Sequence, residues 1–162
     1  MTSASLARII LLLCTIQLCS CWANPLGLYD EETCPTFHTK PSETLVIGTY
    51  ELDSASLNYI RSLGLSDSLT YQLTLDSAGR ATCENFPIAK ASRFDLDTLV
   101  PLSSTWSYAL SQGSWNQIEV DLDSLGYRTA HLCSKNGQTS LFFTVGDPDA
   151  QKGARYNRVA VD

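Results

Sequence analysis

The chain has 162 residues, of which 44% are hydrophobic, 9% aromatic and 17% charged, a balance that suits one globular domain and argues against disorder. Eleven Lys+Arg stand against 17 Asp+Glu for a formal net charge of −6, and no segment concentrates basic residues, so nothing is available to neutralise a row of phosphates and nucleic-acid binding is excluded. No apolar run reaches the ~18 residues needed to cross a bilayer as a helix, which excludes a polytopic membrane protein.

The chain opens with the pattern of an export signal. Arg8 supplies positive charge, Ile9 to Leu18 form an apolar core, and small residues follow, so residues 1–20 are expected to be removed. Leu18-Cys19-Ser20-Cys21 resembles the bacterial lipobox, departing from it at Cys19, where Ala, Ser, Thr or Val is usual. The resemblance implies that Cys21 carries the acyl chains and attaches the protein to a membrane, with several chains holding it far more firmly than one. Trp22, in place of the Asp that usually retains a lipoprotein, then resembles an outer-membrane destination where two membranes are present. Cleavage after Ala23 is the alternative, and it would release a soluble secreted or periplasmic protein.

Residues 21–41 mix Pro25, Gly27, Pro35 and Pro41 with Asp30-Glu31-Glu32 and show no period, so they read as a tether. The domain is expected over residues 42–162. Leu45 to Leu52 is a β-rich run. Asp53 caps a short helix in which Leu57, Ile60 and Leu63 share a face and Gly64 is the stop. Leu69, Tyr71, Leu73 and Leu75 alternate with polar residues, and Asp76-Ser77-Ala78-Gly79 turns the chain into Arg80–Glu84. Residues 87–101 look irregular. Trp106, Tyr108 and Leu110 then lead through Ser111-Gln112-Gly113-Ser114 into Ile118, Val120 and Leu122. Tyr127–Cys133 and Thr139–Val145 flank Asn136-Gly137, a strong hairpin dipeptide, and Ala154–Val161 closes the series. Eight short strands with turns every 8–12 residues predict an all-β domain: a single antiparallel meander or small lipocalin-like barrel with one short capping helix.

Of six cysteines, Cys14 and Cys19 leave with the signal and Cys21 is lipidated or part of the tether. Cys34, Cys83 and Cys133 are too few and too widely spaced for a zinc site, and no Cys-x-x-Cys is present. An oxidising compartment favours one disulfide. Cys34, in a tail that needs fastening, and Cys133, just before a turn, are the expected pair, while Cys83 alternates with Ala81 as a small core residue.

Cys21, Cys34-Pro35, Gly48-Thr49-Tyr50, the helix, Asn85-Phe86-Pro87, Ser104-Thr105-Trp106, Trp115 and Leu141-Phe142-Phe143 followed by Gly146-Asp147-Pro148-Asp149 together resemble a family of small uncharacterised bacterial lipoproteins. That family pairs a Gly-Thr-Tyr/Trp first strand with a C-terminal Gly-Asp-Pro-Asp turn. The chain departs from it in the four-residue Asp76–Gly79 turn and in Ser104, where Gly is expected. The resemblance implies an envelope location and assigns no activity. Gly48-x-Tyr50 also resembles, faintly, the lipocalin Gly-x-Trp, which marks strand packing at the closed end of a barrel.

Catalytic chemistry finds little purchase. Only His38 and His131 offer a base near neutrality; His38 falls in the tether and His131 on a strand. Gly-x-Ser-x-Gly, His-Glu-x-x-His and phosphate-loop patterns are absent. Gly146, Asp147, Pro148 and Asp149 combine turn-forming residues, so a loop is expected there and no metal. Trp106, Tyr108 and Phe143 fall in phase with the core. Trp115 and Phe142 fall out of phase and are the candidate contacts for a partner protein or small ligand. The expected function is that of a non-catalytic binding or structural module needing no cofactor. A lipocalin-like carrier enclosing an apolar molecule is the alternative, and it would need a cavity of at least ~300 Å³ lined by Leu73, Leu75, Trp106 and Val120.

Overall fold

The computed structural model describes residues 34–65, 69–89, 96–122, 127–144 and 153–159. Residues 1–33, which carry the expected signal and Cys21, and the Gly146–Asp149 turn lie outside the described residues.

Eight strands run β1 (Gly48–Leu52), β2 (Leu73–Leu75), β3 (Arg80–Ile88), β4 (Thr98–Ser111), β5 (Ser114–Asp121), β6 (Tyr127–Lys135), β7 (Gln138–Thr144) and β8 (Gly153–Arg158), with helix α1 (Ser54–Ser62) between β1 and β2. Each strand pairs antiparallel with the next, and β8 returns to β1 through Tyr50↔Arg158 and Leu52↔Tyr156, closing the barrel. Closure removes both sheet edges, which would otherwise present unpaired backbone groups.

Alternation along the strands fills the interior. Tyr50, Leu73, Ile118, Val120, Leu132, Leu141 and Tyr156 are each 0% exposed, so none borders a space large enough to admit a water. Phe86, Phe143 and Tyr156 pack as an aromatic cluster, with Phe143 edge-on to both of the others at 5.0 and 5.9 Å.

The helix is set by its ends. The Asp53 carboxylate accepts from the Ser56 N–H at 2.7 Å, an N-cap bond. At the other end Gly64 has φ +77°, and the Gly64 and Leu65 N–H groups donate to the Arg61 and Ile60 carbonyls in a Schellman stop. Ile60 is buried, and the helix docks on β8 through Ser56, whose buried hydroxyl accepts the Arg155 N–H at 2.8 Å.

Two hairpins use two-residue turns in which both residues have positive φ: Gln112-Gly113 (49° and 78°) and Asn136-Gly137 (54° and 80°). This is the type I′ geometry whose twist matches the flanking strands. The β1 start, these turns and the Asp76–Gly79 turn gather at one end of the barrel. The helix and the C-terminal ends of β3, β5 and β7 lie at the other.

The stretch 87–101, expected to be irregular, is strand at both of its ends: β3 reaches Ile88 and β4 begins at Thr98. Prolines obscure the pattern because Pro cannot donate to a ladder. Pro87 lies where β3 pairs only with β4, and Pro101 lies opposite a bulge, since the two residues between Cys83 and Phe86 face the single residue between Leu102 and Val100.

Candidate functional site

The tail preceding β1 is fastened to the barrel. Cys34 is joined to Cys133 on the outer face of β6. From there the Asn116 amide holds the tail on both sides, its Oδ1 accepting from the Phe37 N–H and its Nδ2 donating to the Pro35 carbonyl, each at 2.8 Å. The Trp115 N–H donates to the Phe37 carbonyl at 2.9 Å. Farther along, Lys40 sits over the Tyr108 ring and the Tyr108 hydroxyl donates to the Ser42 carbonyl. The belt ends in a 3₁₀ turn at Glu43–Leu45, then in Val46, which is 0% exposed and whose carbonyl accepts from the Tyr50 hydroxyl. Arg158 crosses Gly48 and donates to the Thr44 and Leu45 carbonyls; a Cβ at residue 48 would meet the Arg158 Nε at 2.6 Å. Gly48 therefore leaves room for the side chain that seals this end.

The belt explains why Phe142 departs from expectation. It does point outward, between His131 of β6 and Arg155 of β8, yet it is 1% exposed. Cys34 packs against it and the Arg155 guanidinium lies over its ring. A residue covered in this way is not a surface contact for a partner. Trp115 is half-buried, and the exposed large hydrophobic residues among those described, Leu69, Leu110 and Val159, lie on separate segments.

The core encloses a thiol and a phenol. Cys83 is a free thiol, 5% exposed, and burial pushes its pKa up to about 11, which keeps it protonated and inert near neutrality. The wholly buried Tyr156 hydroxyl lies beside it. Burial also raises Tyr108 to about 12. His38 is exposed on the belt, and His131 is half-buried on the outer wall opposite Gln117. Among the described residues no group of three or more His, Cys, Asp or Glu is placed to hold a metal.

The described residues line two clefts of about 220 Å³ each. One lies beside α1, floored by Leu52, Leu57, Leu69 and Tyr71 with Glu51 and Gln72 at its rim. The other lies at the turn end, between the belt (Cys34, Thr36), the β4–β5 hairpin (Ser111, Gln112, Ser114) and the outer wall (Gln117, His131). A strand irregularity shapes the second: the one residue of β4 between Ala109 and Ser111 faces two of β5 between Gln117 and Ser114, and the sequence neighbours Asn116 and Gln117 both reach the cleft. Sequence reading missed this cleft because it joins a tail to a hairpin about eighty residues away through neutral side chains that form no motif. The chain matches no known family model, no curated protein and no solved structure.

Proposed function

We propose that the protein is an exported, non-catalytic envelope lipoprotein, held to a membrane through acylated Cys21 and presenting its barrel as a binding or structural module. The observation that carries this reading is the Cys34–Cys133 bond. Disulfides persist in oxidising compartments, outside the reducing cytosol, which agrees with the export pattern of residues 1–20. The bond lies thirteen residues after the lipidation motif and fastens the tail to the outer wall, so a load on the anchor passes to β6 and leaves the end of β1 unburdened.

The packed interior favours a module over a carrier. Leu73 and Val120 are 0% exposed, and the cleft beside α1 offers about 220 Å³, short of the ~300 Å³ at which pockets for drug-sized ligands begin. Metabolic fatty-acid labelling of the wild type and of Cys21→Ala tests the anchor. Label and membrane association are expected in the wild type and lost in the variant; label retained by the variant refutes lipidation at that position.

A further inference from the structure

We propose that the cleft at the turn end binds a neutral polyhydroxylated ligand the size of a single sugar residue. Its walls carry hydroxyls (Thr36, Ser111, Ser114), amides (Gln112, Asn116, Gln117) and the His131 imidazole, and among the described residues no Asp, Glu, Lys or Arg lines it. That composition stands out in a chain of net charge −6.

The chemistry of the walls selects among ligand classes. An ionic ligand needs a permanent counter-charge that these walls lack. An apolar ligand would strip water from hydroxyls and amides and give no hydrogen bond in return. Sugar hydroxyls both donate and accept, and so do Ser, Thr and the carboxamides, so each wall group pairs with a sugar hydroxyl in either sense. A volume of about 220 Å³ accommodates about a dozen non-hydrogen atoms, one pyranose ring with its substituents.

The cleft is also held in shape before any ligand arrives. The disulfide fixes one wall. Both polar ends of the Asn116 amide are engaged by Phe37 and Pro35, which sets the spacing between belt and β5. The Ser114 hydroxyl donates to the Ser111 carbonyl at 3.0 Å, fixing its rotamer while its oxygen can still accept. Ordering these groups in advance lowers the entropic cost of binding.

This assignment deepens the reading of the chain as a binding module. Its test uses purified, oxidised protein, so its failure would leave export and anchoring, tested at Cys21, untouched. Titration with glucose and N-acetylglucosamine, followed by amide NMR, should give saturable shifts concentrated at Gln112, Ser114, Gln117 and His131. Gln117→Ala should weaken binding roughly fivefold or more, one hydrogen bond's worth, with the melting temperature unchanged. Thr36→Val supplies the same comparison from the opposite wall if the first variant melts early. Three results would overturn the proposal: no saturable shift with either sugar, shifts only with glucose 6-phosphate or only with benzyl alcohol, or sugar affinity unchanged in both variants.

Discussion

Removing the Cys34–Cys133 bond should destabilise the whole barrel, although the bond lies on its outside. The two residues are 99 apart in sequence, so the bond closes a long loop in the unfolded chain. With the chain-entropy relation, a loop of that length removes about 15.8 cal/mol/K from the denatured ensemble, or ~4.7 kcal/mol at 25 °C. That is a large share of the 5–15 kcal/mol typical of a domain's total stability. For a barrel of this size it corresponds to a fall in melting temperature of roughly 10–20 °C. The native fold should survive the cut, because the Asn116 and Trp115 contacts still hold the belt. Thermal unfolding by circular dichroism, run on oxidised protein, reduced protein and Cys34→Ser/Cys133→Ser, measures the effect. Amide exchange at Phe37 separates local fraying from global loss. Were the oxidised and reduced forms to melt together while only the Phe37 amide lost protection, the entropic reasoning would be refuted.

Other substitutions probe the joints of the barrel. A Cβ at residue 153 would lie 1.9 Å from the Phe143 carbonyl oxygen, so Gly153→Ala must break the β7–β8 ladder locally, and a loss of roughly 4 kcal/mol or more is expected in chemical denaturation. Ser56→Ala leaves the Arg155 N–H without its acceptor at a buried position and should cost about 1–3 kcal/mol, with increased exchange at that amide. Asp76 accepts from the Arg80 and Ala78 N–H groups and from the Arg80 side chain, and these bonds hold its carboxyl below the usual carboxylate range. A depressed folded-state value means that its contribution is present above the ordinary carboxylate range and is lost as pH falls through the lowered value. Carbon-detected NMR should therefore show Asp76 titrating below the ordinary carboxylate range, and Asp76→Asn should flatten that part of the acid stability profile.

Local signals in the sequence carried the elements well. Asp53 and Gly64 bracket the helix through cap geometry, and Asn136-Gly137 supplies the two positive φ values that its hairpin requires. What stayed hidden depends on pairing across the chain. The sequence pattern left a meander and a barrel both open, because closure rests on β1 meeting β8, more than a hundred residues later. The β3–β4 extension was masked by Pro87 and Pro101, each tolerated only because of where neighbouring strands end or bulge. Phe142 shows the same limit. Its phase was legible, but its burial comes from a tail that no periodicity connects to β7. The turn-end cleft was illegible for a related reason: neutral Ser, Thr and Gln side chains announce no chemistry until a fold brings them together.

The buried thiol of Cys83 has a consequence for how the molecule is made. Three cysteines among the described residues allow three single crosslinks, and only the link between residues 34 and 133 is compatible with the finished barrel. Collapse that hides position 83 before oxidation leaves the native pairing as the single choice among these three. A chain oxidised while still open can join position 83 to either of the others and then depends on an isomerase to be released.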